Sequence, residues 1–172
     1  IAACRGNHDV TLIVHDNQVY GLTTGQAAPT TPSGWKTKST PAGQIEVPVN
    51  PITLAVASGA TFVARGYAGN IPVTADLIKR AIAHKGFSLV DTFQPCVTFN
   101  KHNTHAWYNE RIALLDENRD KTNMMEAMSL SMDTEKLHVG LLYEQTGRPA
   151  YHESVEQIEK GPLVKQFQST VS

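Results

Sequence analysis

The sequence has 172 residues, of which 41% are hydrophobic and 18% charged, and this balance predicts one globular domain rather than a disordered chain. Its 15 basic and 16 acidic residues give a formal net charge of −1 without a cluster of Lys or Arg, which excludes nucleic acid as a partner. No apolar run approaches the roughly 20 residues that cross a bilayer and no secretory signal is visible, so we expect a soluble, cytoplasmic protein without a membrane partner.

The beginning of the chain predicts a helix end followed by a strand. Residues 1–7 combine small apolar side chains with a Gly6-Asn7 stop, so we expect the tail of a helix and a fragment that lacks the preceding residues. Residues 10–15 are β-branched and apolar, which predicts a strand buried on both faces. Residues 27–51 contain Pro, Thr and Gly without regular periodicity and predict a long functional loop.

Strands and helices then alternate. Asn50 and Pro51 predict the start of a short helix, and Thr74 is expected to cap a second helix. The residues expected on the apolar face of this second helix are Leu77, Ile78, Ala81 and Ile82. Strands are predicted at residues 61–67 and 87–93. This alternation indicates βαβ units and therefore an α/β, doubly wound, mainly parallel sheet.

The pattern changes after residue 94. We expect helices at residues 104–115 and 123–132, a strand at a sheet edge over residues 137–143, and a polar docking tail from residue 146. Trp107 and Tyr108 are expected to pack against a neighbouring subunit. Of the two cysteines, neither lies in a C-x-x-C spacing, so Cys4 and Cys96 taken alone predict two reduced, partly buried thiols.

The polar segment after the first strand is the first candidate for a functional site. Ligands of open parallel sheets bind beyond the carboxyl ends of the strands, where residues 16–26 would lie. This segment combines amide and hydroxyl oxygens with two glycines, so it could offer oxygen ligands to Mg²⁺ and backbone N–H groups to a phosphate. An ordinary polar loop with a turn at Asp16 and Asn17 remains the alternative.

Residues 16–32 resemble the end of the thiamine-diphosphate motif in β subunits of 2-oxoacid:ferredoxin oxidoreductases. Further similar segments follow in the same order as in that family, at residues 37–43, 57–65, 84–91 and 94–100. The resemblance implies a thiamine-diphosphate-binding fold whose N-terminal portion, with a Gly-Asp-Gly sequence and three cluster cysteines, is missing. It implies an incomplete thiamine-diphosphate domain at residues 1–117 and, at residues 118–172, an extension that contacts another subunit.

The resemblance also implies roles for individual residues. Asn17 matches a side-chain ligand of Mg²⁺, and Val19 matches the residue whose backbone carbonyl completes the coordination. Cys96 matches a thiolate ligand of a [4Fe–4S] cluster, whereas Cys4 matches no ligand. The remaining residues implied in cofactor binding form the turn around the diphosphate, and two of them, Leu22 and Thr24, would face the substrate: Tyr20, Gly21, Leu22, Thr23 and Thr24.

For the intact enzyme, the resemblance implies oxidative decarboxylation of a 2-oxoacid to acyl-coenzyme A, with electrons passed to ferredoxin. The implied partners are an α subunit, ferredoxin, the 2-oxoacid and coenzyme A, and the fragment alone is expected to be inactive. Two alternatives remain: a non-catalytic, flavodoxin-like partner-binding module, and another thiamine-diphosphate enzyme. The sequence does not specify which 2-oxoacid is the substrate.

Overall fold

The computed structural model describes residues 1–171, which form seven strands and seven α-helices. The strands are β1 (Val10–Asp16), β2 (Val19–Tyr20), β3 (Gln26–Ala27), β4 (Phe62–Tyr67), β5 (Phe87–Phe93), β6 (Ile112–Leu114) and β7 (Leu137–Glu144). The helices are α1 (Ala2–Gly6), α2 (Pro51–Ala57), α3 (Ile71–Ala83), α4 (His105–Arg111), α5 (Met124–Met132), α6 (Glu156–Glu159) and α7 (Leu163–Val171), with a 3₁₀ turn at Tyr151–Ser154. Within this described part, no helix is both long and apolar enough to cross a membrane.

Five strands form a mixed sheet in the order β1-β5-β4-β7-β6, while β2 and β3 form a separate hairpin. The pairs β1–β5, β4–β5 and β6–β7 are parallel, and β4–β7 is antiparallel. One face of the sheet packs against α3 through Leu77 and Ala81. The other face packs against α2 and α5 through Ile52, Val56 and Ala127. The predicted α/β, doubly wound, mainly parallel fold is therefore confirmed.

The helix starts follow local capping rules, with one correction. Asn50 caps α2, because its side chain accepts a hydrogen bond from the Thr53 N–H, as the sequence predicts. The predicted Thr74 cap of α3 is wrong: Asn70 is the N-cap, and its side chain accepts a hydrogen bond from the Val73 N–H. The Thr74 hydroxyl instead donates to the Tyr67 carbonyl and accepts from the Tyr67 N–H, which fixes the turn between β4 and α3.

Two strand positions also differ from prediction. Among the described residues, β1 is an edge strand that pairs only with β5, and Val10 and Leu12 are about half exposed, so β1 is not buried on both faces. β7 lies between β4 and β6 and is almost fully buried, although its sequence predicts an edge strand. Apolar composition cannot specify a strand's neighbours, since these depend on the whole topology.

The helix predicted at residues 104–115 is shorter in the structure. α4 begins after its N-cap Thr104 and ends at Arg111, because Ile112 is extended and starts β6. Tyr108 is 1% exposed and packs within this chain against Tyr67 and Phe93, so the expected packing of Tyr108 on a neighbouring subunit is wrong.

Asn7 connects distant parts of the chain. It caps α1 in the left-handed conformation, with φ 51°, and is buried. Its side-chain oxygen accepts hydrogen bonds from the Thr61 hydroxyl (2.8 Å) and the Phe87 N–H (3.0 Å). Its amide donates to the carbonyls of Arg148 (3.2 Å) and Pro149 (3.0 Å). One side chain thus ties α1 to the starts of β4 and β5 and to the segment after β7.

Candidate functional site

The candidate site lies at the carboxyl end of β1 and β5, where open α/β sheets bind ligands. β1 ends at Asp16 and β5 at Phe93, and these two residues are directly paired. The Gln94 N–H then donates to the Asp16 carbonyl at 3.0 Å. The segment after β1 and the segment after β5 therefore leave the sheet side by side.

Asp16 fixes the start of the loop after β1. Its buried carboxylate accepts hydrogen bonds from the Thr30 hydroxyl (2.5 Å) and the Gln18 N–H (3.2 Å), and Gln18 takes a positive φ of 58°. Burial raises the pKa of Asp16, and the two hydrogen bonds and the charge of Arg65 offset only part of this effect. Asp16 is thus a structural anchor whose carboxylate faces away from solvent.

Asn17 is fixed by hydrogen bonds to its side chain and to its backbone carbonyl. Its side-chain oxygen accepts a hydrogen bond from the Val19 N–H at 3.1 Å, which forms a tight local turn. Its backbone carbonyl accepts from the side-chain amide of Asn100 at 3.0 Å. Asn100 is itself fixed, because its side-chain oxygen accepts from the N–H groups of His102 and Asn103. The turn after β5 therefore positions the residue expected to bind Mg²⁺.

The tip of the loop presents unused backbone donors. The Gly25 N–H donates to the Tyr20 carbonyl (2.9 Å), and the Thr24 N–H donates to the Gly21 carbonyl (3.1 Å). Within the described residues, the N–H groups of Gly21, Leu22 and Thr23 have no acceptor. Successive free N–H groups in a turn form a concavity that binds anions.

The remaining tip residues are exposed. The Leu22 side chain is 98% exposed. Thr24 has a positive φ of 69°, and its hydroxyl accepts a hydrogen bond from the Lys38 ammonium at 2.6 Å. Lys38 comes from the long loop, so this loop places a positive charge beside Thr24, one of the two residues expected to face the substrate.

Cys96 lies against this loop. A Cβ atom added to Gly21 would be 3.7 Å from the Cys96 sulfur and 3.9 Å from the Asn17 amide nitrogen. Burial opposes ionisation of the thiol, but the N–H groups of Phe99, Asn100 and Thr98 and the charge of Lys101 favour the thiolate, so the pKa of Cys96 is lowered. The structure thus brings Asn17, Gly21 and Cys96 together.

Cys4 is separate from this site, since it is buried in the core beside α2. The part of the chain that the structure describes contains no group of three or more His, Cys, Asp or Glu side chains able to hold a metal ion. Cys96 is therefore a single thiolate rather than part of a complete metal site within residues 1–171.

A buried ion pair below the loop was not anticipated from the sequence. Arg65 in β4 and Asp91 in β5 are directly paired, and the Arg65 Nε lies 3.4 Å from an Asp91 oxygen. Both residues are nearly inaccessible to solvent, at 3% and 0% exposure. The sequence does contain a signal for this pair, because Arg65 and Asp91 each interrupt a strand that is otherwise apolar or neutral.

Family comparisons cover nearly the whole chain. Residues 1–92 match a family described as "Thiamine pyrophosphate enzyme, C-terminal TPP binding domain". Residues 96–160 match a family described as the C terminal of the pyruvate ferredoxin oxidoreductase beta subunit. The boundary between the two matches falls just before Cys96.

Individual relatives agree with these matches. A 2-oxoacid:ferredoxin oxidoreductase subunit beta from Sulfolobus sp. is 43% identical over 168 residues, which is 91% of this chain and 55% of the relative. The corresponding subunit from Saccharolobus solfataricus is 51% identical over 117 residues, which is 68% of this chain and 38% of the relative. The chain thus spans about half the length, or less, of these curated relatives.

A solved structure is similar over 99% of this chain and 61% of its own, with a TM-score of 0.88 and 32% sequence identity. It is a 2-oxoglutarate:ferredoxin oxidoreductase from Magnetococcus marinus with 2-oxoglutarate, coenzyme A and succinyl-CoA bound.

Proposed function

Because this chain belongs to the β subunits of the 2-oxoacid:ferredoxin oxidoreductases, with the C-terminal domain of the thiamine pyrophosphate enzymes at residues 1–92, we propose that it forms part of such an enzyme. The complete enzyme would convert a 2-oxoacid and coenzyme A to acyl-coenzyme A and carbon dioxide and pass the released electrons to ferredoxin. The observation that carries this proposal is the meeting of Asn17, Gly21 and Cys96 at the carboxyl end of the sheet.

The loop tip suits the diphosphate of thiamine diphosphate. The free N–H groups of Gly21, Leu22 and Thr23 would donate to its phosphate oxygens, with Tyr20 and Thr24 completing the turn. When bound, thiamine diphosphate supplies the electron sink for decarboxylation. The chain's own part is to hold this cofactor in place. No general base is assigned to this chain.

Magnesium would be held beside the diphosphate by the Asn17 side-chain oxygen and the Val19 carbonyl. Neutral oxygen atoms are suitable ligands for Mg²⁺, and Asn17 is already fixed by Asn100. One oxygen of the buried Asp16 carboxylate already accepts hydrogen bonds from Thr30 and Gln18, which holds this side chain within the loop.

Cys96 suits one ligand position of a [4Fe–4S] cluster. Its lowered pKa and surrounding N–H donors favour the thiolate form that binds iron. A complete cluster needs three more ligands, which this part of the chain does not assemble. The position of Cys96 beside Gly21 would place such a group close to thiamine diphosphate.

The exposed tip would contact the substrate. Leu22 and Thr24 would face the 2-oxoacid, and the Lys38 ammonium beside Thr24 would favour substrates with a second carboxylate. Further parts of the proposal are an α subunit and ferredoxin as partners and a cytoplasmic location. Residues 1–117 would bind thiamine diphosphate, and residues 118–172 would contact another subunit.

The proposal is tested with the assembled enzyme that contains this chain. We expect 2-oxoacid- and coenzyme A-dependent reduction of ferredoxin, measured with pyruvate, 2-oxoglutarate and branched-chain 2-oxoacids. Asn17→Ala should weaken magnesium-dependent binding of thiamine diphosphate, measured by calorimetry, because it removes an oxygen ligand. A lack of turnover with every 2-oxoacid would refute the proposed activity.

The matched control is Asn118→Ala, which truncates an exposed Asn in the turn before α5. This control should bind the cofactor like the unmodified enzyme. Equal weakening by both substitutions would remove Asn17 from the proposed metal site.

A further inference from the structure

A pocket of about 180 Å³ lies beside the candidate cofactor loop. Residues 35–37 of the long loop and residues 99–102 of the turn after Cys96 line it, together with Gln18, Val19 and Gly25. Of the residues that the sequence implies in cofactor or metal binding, only Val19 lines this pocket. It is therefore a separate concave feature next to the proposed site.

The walls of the pocket are well packed. The rings of Trp35 and His102 are stacked, with centroids 4.3 Å apart. Phe99 packs so closely on Gly25 that a Cβ atom there would lie 3.3 Å from its ring. Asn100, which also lines the pocket, is buried and uses its amide and oxygen on neighbouring backbone groups. The pocket is thus shaped by residues that are already fixed.

The charged side chains that line the pocket are positive. Its charged lining residues in the described chain are Lys36 and Lys101. Residues 17–45 and 94–109, which include both walls, contain no Asp or Glu. The nearby Asp16 is buried and hydrogen-bonded to Thr30. Lys101 donates one hydrogen bond to the Val97 carbonyl, which leaves other ammonium hydrogens for a ligand.

The size of the pocket limits the ligand. A volume of about 180 Å³ is smaller than the roughly 300–1,000 Å³ of pockets that enclose a whole small molecule. This space can hold a phosphate or diphosphate group but not a whole nucleotide. A cation-lined pocket of this size, open on one side, suits the phosphate of a larger molecule whose remainder lies outside.

We propose that this pocket, between Lys36 and Lys101, binds a phosphate group of a phosphorylated ligand of the enzyme. The identity of that ligand rests on the proposed function, whose phosphorylated substrate is coenzyme A. Thiamine diphosphate, whose diphosphate the loop tip would hold, is the other source of the same chemistry that the test distinguishes. The aromatic pair Trp35 and His102 forms the wall against which the ligand lies.

The test uses Trp35 as a fluorescent reporter. The chain has two tryptophans, so Trp107→Phe leaves Trp35 alone. This protein is titrated separately with coenzyme A, dephospho-coenzyme A, thiamine diphosphate and inorganic pyrophosphate, without added magnesium. At least one should change the Trp35 fluorescence saturably, and raising the salt concentration should weaken that binding.

The double variant Lys36→Gln/Lys101→Gln should bind at least about tenfold more weakly, since both charges that attract the phosphate are lost. The matched control, Lys79→Gln/Lys85→Gln, changes the net charge equally at two lysines of and after α3. Its affinity should stay within about twofold of the unmodified chain. Thermal unfolding of both variants establishes that they are folded.

The outcomes distinguish coenzyme A from thiamine diphosphate as the source of the phosphate, and they test the phosphate site separately from the proposed function. Weaker binding of dephospho-coenzyme A than of coenzyme A identifies coenzyme A as the source, and binding of thiamine diphosphate alone identifies the cofactor. No saturable binding of any probe, or equal losses in both double variants, overturns the phosphate site. Failure of 2-oxoacid turnover with pyrophosphate binding retained would refute the proposed function and leave the phosphate site standing.

Discussion

The Arg65–Asp91 pair is the most buried charged feature of the molecule's described part. One Asp91 oxygen faces the Arg65 Nε, while the other has no hydrogen-bond partner. Arg65 also lies 4.7 Å from the centre of the Phe93 ring. Burial raises the pKa of Asp91 from 3.8 to about 6, since the attraction of Arg65 is partly opposed by Asp16.

This raised pKa predicts a pH-dependent stability. Between about pH 4 and pH 6 the folded chain binds more protons at Asp91 than the unfolded chain, so the free energy of unfolding falls as the pH rises. A shift of about two units corresponds to roughly 3 kcal/mol. In urea unfolding from pH 4 to pH 7, the unmodified chain should lose about this much stability relative to Asp91→Asn, which cannot ionise.

The control for this prediction is Asp120→Asn. Asp120 is exposed, and hydrogen bonds from the N–H and hydroxyl of Thr122 lower its pKa, so it stays ionised over the same pH range. Because this pKa is lowered, the stability that Asp120 contributes can only rise as the pH increases from 4, so Asp120→Asn should not reproduce the trend of Asp91→Asn. A constant difference between the unmodified chain and Asp91→Asn would contradict the raised pKa.

At the scale of the elements, Asn50 joins the helices α2 and α5, because its side chain is hydrogen-bonded to both. Its oxygen caps α2 at the Thr53 N–H, and its amide donates to the Ser131 carbonyl at 2.9 Å. The hydroxyls of Thr53 and Ser131 add a bond of 2.9 Å. The cap of one helix is thus also the contact to the last turn of the other.

Asn50→Ala should lower the free energy of unfolding by about 2 kcal/mol, since it removes both the cap and the bond to Ser131. Asn50→Asp keeps an acceptor for the Thr53 N–H but cannot donate to the Ser131 carbonyl. The free energy of unfolding that this variant loses therefore measures the contact between the two helices. Urea unfolding measures both. Asn118→Ala serves as the exposed control, and a loss no larger than this control would contradict the dual role.

Elements set by local rules were predictable from the sequence, and others were not. Asn50 with Pro51 defines α2 through a cap that lies within four residues. The end of α4 at Arg111 was missed because Ile112 pairs with Leu137, a contact 25 residues away. The positions of β1 and β7 in the sheet were missed for the same reason, since each depends on which strand lies beside it.

At the scale of the whole molecule, β1 leaves one edge of the sheet open within residues 1–171. Apart from Asp16 at its buried end, the strand carries no Asp, Glu, Lys or Arg, and it contains neither a proline nor a bulge in its pairing with β5. Val10, Leu12 and Ile13 are each at least 36% exposed. An edge of this kind readily pairs with another strand.

We therefore expect the 172-residue chain on its own to associate with itself at high concentration through β1. Leu12→Lys places a charge on the edge and should remove most of this association, measured by sedimentation velocity. The matched control is Ile82→Lys, at an exposed apolar position of α3 away from the edge. Equal effects of the two substitutions would rule out β1 as the contact.

The sequence indicated the loop of the candidate site but not its surroundings. Residues 16–26 contain the amides, hydroxyls and glycines that suit a diphosphate site, and their composition is local information. The proximity of Cys96 to Gly21 joins residues 75 positions apart, and the pocket between Lys36 and Lys101 joins residues 65 positions apart. Only the fold shows that these residues meet.

The buried Asn7 side chain has a consequence for the order in which the chain can mature during synthesis. Its partner carbonyl at Arg148 is added 141 residues later. At about 5–20 residues per second, this delay is roughly 7–28 s. Throughout that time the Asn7 amide lacks the two carbonyls to which it donates in the folded chain. The arrival of the segment after β7 then completes the hydrogen bonds that fasten Asn7, and with it the end of α1, in place.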